Sequence, residues 1–341
     1  MNKTLTEQSS DVLIIGAGLS GLMAARKLSA RGLSVMLVDK GRSVGGRLAT
    51  RRIGEGLADH GAQFFTVRSS DFQREVDQWL ANNVVYVWSN GFSDGIRSVE
   101  QFDGHPRYAS KGGMNALAKY LAQQTGPRTT FYNDVKISSL SESADGWIAH
   151  DNNGVAFMAK GLLMTAPVPQ SLELLGKTRE KLIAPDRKAL ERIQYAPCVA
   201  GIFRVDGEVN LPDPGALQRP DAILSWIADN QRKGISPHER VITVHAAGSI
   251  SQNLWDQAEA EALIFIQQEF EGYLADGASI VEAELKRWRY SQPIVLHSER
   301  YLMAHGLLSL AFAGDGFGEA RIEGAFLSGS AAGEALAARL A

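Results

Sequence analysis

The sequence predicts an α/β fold, and three observations carry that prediction. First, residues 12–15 form a short apolar run of Val, Leu and Ile, as a buried parallel strand requires. Gly16-Ala17-Gly18-Leu19-Ser20-Gly21 follows at once. A helical pattern at Leu22, Ala25 and Leu28 comes next, then a second apolar run, Val35 to Val38, that closes on Asp39. Strand, glycine turn, helix and strand make a complete βαβ unit of the Rossmann type. Second, at the far end of the chain a buried-strand pattern, Leu308 to Ala313, passes through Gly314-Asp315-Gly316 into an Ala-rich helix that runs to Leu340. Third, from Tyr195 onward the composition shifts towards strands, which marks a second, mixed-sheet domain.

Each residue of the βαβ unit has a physical task. Gly16 allows the tight turn, Gly18 lets the backbone approach a pyrophosphate, and Gly21 lets the helix pack close to the strand. The helix N-terminus offers N–H groups and partial positive charge to phosphates. Gly32 suits the position just past the helix end. Asp39 accepts hydrogen bonds from ribose hydroxyls in such units, and a carboxylate there favours a free 2′-OH over a 2′-phosphate. Gly16, Ala17, Gly18, Ser20, Gly21, Asp39 and the adjacent Lys40 are therefore candidate cofactor-binding residues. Taken alone, they suit an NAD dehydrogenase as readily as a flavoenzyme.

Arg42-Ser43-Val44-Gly45-Gly46-Arg47 narrows the choice. The double glycine lets the chain pass close to a ligand, and Arg47 can fork onto a phosphate. A dinucleotide fingerprint, an acid at the second strand and then R-x-x-G-G-R together resemble the FAD-containing amine oxidase superfamily. The resemblance implies an FAD cofactor with Gly46 and Arg47 among its contacts. Asp59-His60-Gly61-Ala62-Gln63-Phe64-Phe65 extends it: the run D-x-G-A-Q-F/Y resembles the renalase branch of that superfamily, where the segment passes beside the flavin ring. Gln63 and Phe64 inherit that contact; a plain loop and edge strand with a structural Asp59 is the alternative.

Composition bounds the rest. The 341 residues suggest about two domains. The apolar fraction of 45% allows a sizeable core, and the net charge of −3 gives no basic excess for nucleic acid. The single cysteine, Cys198, excludes an intrachain disulfide, a Cys-rich metal site and a C-x-x-C redox pair. A cytoplasmic location is the expectation. Val12 to Ala25 is apolar enough to mimic a signal-peptide core, but Glu7 and Asp11 precede it and the βαβ unit explains it better. No stretch stays apolar for the length of a membrane span.

Along the chain, residues 1–10 are expected to be frayed. Ser70 or Asp71 caps a helix with Val76, Trp79 and Leu80 on its buried face. Val84 to Trp88 suits a strand, and Gly91 to Gly104 is turn-rich. Lys111-Gly112-Gly113-Met114-Asn115 leads into an amphipathic helix; in related flavoproteins such a G-G-M segment returns the chain to the FAD domain. Thr129 to Leu140 is predicted as a strand, Gly146 to His150 and Val155 to Lys160 as a meander, and Gly161 to Ala166 as a strand that re-enters the FAD sheet. By resemblance, the strand near Val135 offers its backbone to adenine. Pro169 to Ile193 is mainly helical. Val199 to Val205, Ala222 to Ala228, Val241 to Ala247 and Ile280 to Tyr290 are predicted strands, Ala258 to Leu274 is a covering helix, and Leu211 to Pro220 is a surface loop.

The end of the chain resembles the C-terminal FAD motif of the superfamily. Gly314 and Asp315 inherit contacts to the ribityl chain or pyrophosphate. Ile322, Glu323 and Gly324 lie where the last helix points its N-terminus at the flavin, at the end where negative charge collects on reduction. Two motifs at opposite ends imply one interleaved FAD domain, residues 11–70, 108–190 and 300–341, with a substrate domain from 71–107 and 191–299, an amine-oxidase and p-hydroxybenzoate-hydroxylase-like plan. Trp226, His245, Trp288, Arg289 and Tyr290 are then candidate pocket residues, and His245, Trp288, Tyr290 and Gln63 are those placed nearest to the chemistry. Each also suits a structural role.

The resemblance implies an oxidase of 2- or 6-dihydro isomers of NAD(P), with non-covalent FAD, O2 as acceptor, and NAD(P)+ and hydrogen peroxide as products. Cys198 lies far from the C-terminal motif, where monoamine oxidases attach flavin. The segment before Gly314 lacks their paired aromatic cage. An amine oxidase or desaturase on the same fold is the second expectation, and a redox-silent FAD-binding protein the third.

Overall fold

The computed structural model describes residues 7–95 and 104–341. Of the start expected to be frayed, residues 1–10, residues 1–6 lie outside the described residues, as does most of the turn-rich stretch before Gly104, whereas residues 7–10 pair with β10 as the beginning of β1. In chain order, β1 (Glu7–Ile15), α1 (Leu19–Ala30) and β2 (Val35–Val38) form the βαβ unit. The hairpin β3 (Thr50–Ile53) and β4 (Gly56–Asp59), then α2 (Ser70–Ala81), β5 (Val85–Ser89) and β6 (Arg107–Ser110) follow. α3 (Met114–Gln123) leads to β7 (Thr129–Tyr132), β8 (Ile137–Ser143), β9 (Gly146–Asp151) and β10 (Ala156–Met164). α4 (Val168–Leu175), a 3-10 turn (Gly176–Lys181) and α5 (Ala184–Glu191) come next. β11 (Gln194–Asp206), β12 (Ala216–Gln218), β13 (Leu224–Asp229), β14 (Val241–Ala246), α6 (Gly248–Leu254), α7 (Glu259–Glu271) and β15 (Ser279–Val295) make the strand-rich block. β16 (Leu302–Met303), β17 (Leu310–Phe312) and α8 (Ile322–Leu340) end the chain.

These elements form two compact units. The first comprises Met1–Gly46, Ala118–Gln194 and Pro293–Ala341; the second comprises Arg47–Leu117 and Tyr195–Gln292. The division falls at Gly46 rather than at residue 70. The reason is the β3–β4 hairpin, whose Asp59 binds partners at Met114 and Lys233, both in the second unit.

The first unit is built on a sheet in the order β16-β17-β10-β1-β2-β7, with β9 and β8 added beside β10. β1, β2, β7, β10 and β17 run parallel. Their register sets Tyr132, Val38, Ile15, Met164 and Phe312 level in one row. The chain thus leaves the sheet at a single carboxyl edge, where open α/β sheets bind their ligands. Val12 to Ile14, Val35 to Val38, Leu162 to Met164 and Leu310 to Phe312 are buried, as strands covered on both faces require.

α8 explains its own small-residue composition. A Cβ at Gly329 would fall 2.6 Å from Ser20 Cα, and one at Gly333 would fall 2.9 Å from Ala24 Cα. The two glycines, one turn apart, let α8 lie directly on α1, and Ser20 Oγ donates to Ala325 O across that contact at 2.7 Å.

Several predicted boundaries move, each for a local reason. Thr129 to Leu140 is two strands, because Asp134 turns through φ +59°. Val135 therefore lies in the connection between β7 and β8. The meander strand and the re-entering strand are one element, β10, which pairs antiparallel with β9 and parallel with β1. Pro169 to Ile193 is mainly helical, as expected, but in separate pieces: Gly176, at φ +53°, ends α4, and Pro185 lies in the first turn of α5. Ser69, not Ser70 or Asp71, caps α2: its Oγ accepts from Phe72 N at 3.3 Å. Within α2 it is Phe72, Val76 and Trp79 that are buried, and Leu80 is only partly so. The expected surface loop at Leu211 to Pro220 contains β12, with Ala216 and Leu217 buried.

The second unit centres on a five-stranded sheet in the order β12-β13-β14-β11-β15. β12–β13, β13–β14 and β14–β11 pair antiparallel. α7 covers one face, where Ile266 and Phe270 join Phe203, Ile242 and Val244 in a core cluster.

Gly329→Ala is expected to lower the unfolding free energy by about 1–3 kcal/mol, because the α1 backbone must shift to admit the methyl group. Urea denaturation measures this; unchanged stability would contradict the close helix contact.

Candidate active site

At the carboxyl edge of the first unit, Gly16 turns at φ +113°, and a Cβ there would lie 2.5 Å from Thr165 Oγ1. Thr165 Oγ1 donates to Ile15 O and to Gly16 O at 3.1 and 2.8 Å, which braces the turn from β10. A Cβ on Gly21 would collide with Gly16 O. Gly16 and Gly21 are thus glycines for reasons inside the protein. Gly18 is not: it has φ −72°, and a Cβ there meets nothing within 4 Å. Among the described residues nothing occupies the space of a Cβ at this helix-capping position, which leaves room for the phosphate expected at the N–H groups of α1.

Asp39 shapes the same loop. Its Oδ2 accepts from Ala17 N and its Oδ1 from Gly41 N, each at 2.6 Å. Each oxygen keeps a second lone pair for a ribose hydroxyl. Gly45 N donates to Ala17 O at 2.8 Å, and Gly18 and Gly45 form an isolated parallel bridge. Gly46, at φ +55°, brings its Cβ position to 3.4 Å from Gly18 Cα. The fingerprint and the double glycine therefore make one cradle. Lys40 is exposed beside it.

Other expected cofactor contacts differ in detail. Val135 N donates to Asp39 O at 3.0 Å, so the N–H expected to meet adenine is used inside the protein. The Ser20 hydroxyl is likewise committed to α8. Arg47 opens the second unit; its Nη1 donates to Tyr290 O at 3.2 Å and Ser291 O at 2.9 Å, with the guanidinium 6.0 Å above the Tyr195 ring. At the other end of the chain, Gly314, at φ +146°, donates its N–H to Ser328 Oγ at 2.9 Å. Asp315 follows at the carboxyl edge. Ile322, Glu323 and Gly324 form the first turn of α8, at the end of the helix where its dipole is positive. The carboxyl edge thus gathers Gly16, Asp39 and Gly314, as an extended dinucleotide cofactor needs.

The second unit holds a buried polar lock. Lys233 Nζ donates to Asp59 Oδ2 and to Gln63 O, both at 2.6 Å, and the Lys233 and Asp59 side chains are 0% exposed. Asp59 Oδ1 accepts from Thr50 Oγ1 at 2.6 Å and Met114 N at 2.8 Å. Asp59 O accepts from Gln63 Nε2 at 2.6 Å and Thr243 Oγ1 at 2.8 Å. Asn230 Oδ1 accepts from Asp59 N at 3.3 Å. A Cβ at Gly113 would lie 2.9 Å from Asp59 Oδ1, so the G-G-M segment keeps its glycine for the lock.

Next to the lock stands an aromatic cluster. Phe64 packs on Phe92 and Trp226, with centroids 5.0 and 5.5 Å apart. Trp88 meets Phe92 and Trp226 edge-on, and Lys233 Nζ lies 4.9 Å from the Trp88 ring centroid. Phe65, the next residue, turns to the other side and packs on Phe72, Trp79 and Tyr108. His245 pairs across strands with Trp226 and Ala200. His60 stacks on Trp288 at 5.2 Å, and Trp288 Nε1 donates to His60 O at 2.8 Å. Tyr290 packs edge-on against Tyr195, apart from these two groups.

Burial pushes both imidazoles down to about 4, from an ordinary 6.5. The cations Lys286 and Arg51 add to the effect at His60. His60 and Lys233 add to it at His245, where a backbone contact from His60 opposes and is outweighed. Both histidines are neutral at pH 7. Gln63 Oε1, Trp88 Nε1, Trp226 Nε1, His60 Nδ1 and His245 Nε2 are buried with no hydrogen-bond partner among the described residues.

The structure brings His245 and Gln63 to this cluster and links Trp288 to it through His60. Neither Lys233 nor His60 carries a local sequence signal for its place here. Lys233 sits in a charged, turn-like run, Asp229 to Gly234, that reads as solvated surface. His60 stands inside the D-x-G-A-Q segment at its variable position, and only the fold shows that it is neutral.

Because the imidazoles are held below their ordinary value, their burial stabilises the fold fully above about pH 6.5. That contribution is lost as the pH falls to about 4. The thermal midpoint of the native chain is expected to fall through this window more steeply than that of His60→Asn/His245→Asn. Parallel curves would contradict the burial of neutral rings.

Comparison with known proteins accords with this geometry. The Rossmann-like NAD(P)-binding domain family matches residues 14–81, and the flavin containing amine oxidoreductase family matches residues 83–337. A hydroxyneurosporene desaturase from Rubrivivax gelatinosus is 42% identical over 57 residues, which are 17% of this chain and 11% of that protein. A solved structure from Exiguobacterium sp. 255-15, provisionally assigned as a protoporphyrinogen oxidase, aligns with TM-score 0.69 at 12% identity, over 97% of this chain and 99% of that one. Putrescine oxidase bound to putrescine aligns with TM-score 0.61 at 14% identity, over 97% and 100%. At such identities the structural likeness shows the fold. Among the described residues no helix is long and apolar enough to cross a membrane. The chain belongs to the flavin-containing amine oxidoreductases and is an FAD-dependent oxidoreductase.

Proposed function

We propose that the chain is a renalase-like oxidase of isomeric dihydronicotinamides, the 2- or 6-dihydro forms of NAD(P), and that its FAD is held non-covalently. The observation that carries this reading is the set of orphaned polar atoms among aromatic rings in the second unit: Gln63 Oε1, Trp88 Nε1, Trp226 Nε1 and His245 Nε2. A planar ring suits the aromatic faces. A carboxamide, with both donor and acceptor, suits a site that offers an amide oxygen, two indole N–H groups and a neutral imidazole.

Bound FAD would supply two-electron acceptor chemistry, with O2 as the final acceptor and hydrogen peroxide as product. The residues of the chain bind and orient. Gly16, Gly18, Asp39, Gly45 and Gly46 would hold the adenosine-diphosphate half, and Asp315 with the first turn of α8 would hold the flavin half. As the resemblance implies, Gln63 and Phe64 would be flavin contacts; within the second unit, His245 and Trp288 would orient the substrate. A dihydropyridine already carries the hydride to be removed, so neutral imidazoles suffice and no general base is needed. Cys198 is buried, and burial pushes its thiol up to about 12, so it stays protonated and forms no link to flavin.

A second reading, oxidation of an amine or desaturation of a hydrocarbon, is favoured by the names of the matched relatives, a putrescine oxidase and a desaturase. Anaerobic mixing separates the two. The flavin is expected to bleach with a 2- or 6-dihydronicotinamide and not with putrescine, and admitting air is expected to restore the colour with one equivalent of peroxide. Bleaching by an amine alone would contradict the proposal.

A further inference from the structure

The buried Lys233–Asp59 pair has no part in binding as described above. It is also a poor device for stability alone, because desolvation of two charges offsets most of their attraction and apolar replacements are often as stable. Its geometry suggests another task. A lysine ammonium has three donors. One goes to Asp59 Oδ2 and one to Gln63 O, both at 2.6 Å, and the head sits 4.9 Å from the Trp88 centroid. Lys233 is itself held: Tyr86 OH donates to its carbonyl.

These contacts pin the segment from Asp59 to Gln63 at both ends. Inside it, Gln63 folds back, and its Nε2 donates to Asp59 O at 2.6 Å and to Gly61 O at 3.2 Å. Both amide hydrogens are spent on carbonyls of the same segment. Turning the amide over would set Oε1 against two carbonyl oxygens, so the network assigns the orientation. What remains is Oε1, buried and without a partner among the described residues.

We propose that Lys233 is a positioning residue: by clamping Asp59 and the Gln63 carbonyl, it fixes the Gln63 side chain so that the site presents a hydrogen-bond acceptor, and never a donor, at this point. The group recognised there is an N–H or O–H donor. Only the functional consequence rests on the reading of Gln63 as a site residue; the clamping stands on the chain's own atoms.

The test uses Asp59→Asn/Lys233→Met, which removes both charges together and leaves neither uncompensated. Side-chain amide exchange of Gln63, followed by NMR with labelled glutamine, is the readout that needs no substrate. In the native chain these hydrogens are expected to exchange slowly. In the double variant they are expected to exchange at least about 10-fold faster, while backbone amides of β13 and β14 keep their protection. Lys233→Arg keeps the charge but replaces a compact ammonium with a planar fork, so it is a second route to the same faster exchange should the double variant not fold. In turnover, Gln63→Leu is expected to lose about 10-fold to 100-fold in kcat. Adding Asp59→Asn/Lys233→Met to Gln63→Leu is then expected to lose nothing more, because both act through one amide. Unchanged Gln63 exchange in a folded variant, or losses in kcat that multiply, would overturn the proposal. If only the dihydronicotinamide reading fails, the exchange result is unaffected, so the two failures are distinguishable.

Discussion

Asp39 takes the Ala17 N–H at 2.6 Å, and Ala17 O takes the Gly45 N–H at 2.8 Å. These two bonds tie three separate turns into one cradle: the fingerprint, the end of β2 and the double glycine. The tie works because the sheet register sets Ile15 and Val38 level, so that the turns leaving them are adjacent. It also needs close approach: Gly16 against Thr165, Gly21 against the Gly16 carbonyl, and Gly329 against Ser20. Each contact excludes a side chain for a reason within the protein. Gly18 differs: among the described residues nothing lies within 4 Å of the Cβ that it lacks.

The second unit meets a different constraint, which is electrostatic. It buries a lysine, an aspartate and, in large part, two histidines close together. The charges are matched by hydrogen bonds at every polar atom of Asp59, and the imidazoles avoid the cost by staying neutral. A site of this kind holds its polar groups ready without solvent reorganisation, which is how a protein orients a substrate for a cofactor that performs the chemistry.

Much of the first unit was legible in the sequence, because its signals are local. Strand periodicity, the spacing of Gly16, Gly18 and Gly21, and Asp39 at the end of β2 all lie within one supersecondary unit. Asp315 and the Ala-rich helix were legible for the same reason. What was not legible depends on contacts far apart in the chain. Lys233 looks like a surface charge until the fold carries it to Asp59, and His60 looks like a loop residue until Trp288 stacks on it. Val135 lies within a run of good strand formers, and β propensity does not register the single αL residue, Asp134, just before it. Arg47 was expected on a phosphate, and its hydrogen bonds to Tyr290 O and Ser291 O involve residues that no local pattern connects to it.

The central claim is that the glycine cradle is the nucleotide half of an FAD site and not an NAD site. Acid precipitation of the purified chain, followed by quantification of the nucleotide in the supernatant, tests it most directly, with Gly18→Ala measured beside the native protein. The account predicts one FAD per native chain, all of it in the supernatant. It also predicts a large loss of FAD in Gly18→Ala with no change in the stability of the apo-protein. A supernatant that holds NAD(P) or no flavin, flavin retained on the precipitated chain, or full FAD occupancy in Gly18→Ala would contradict it.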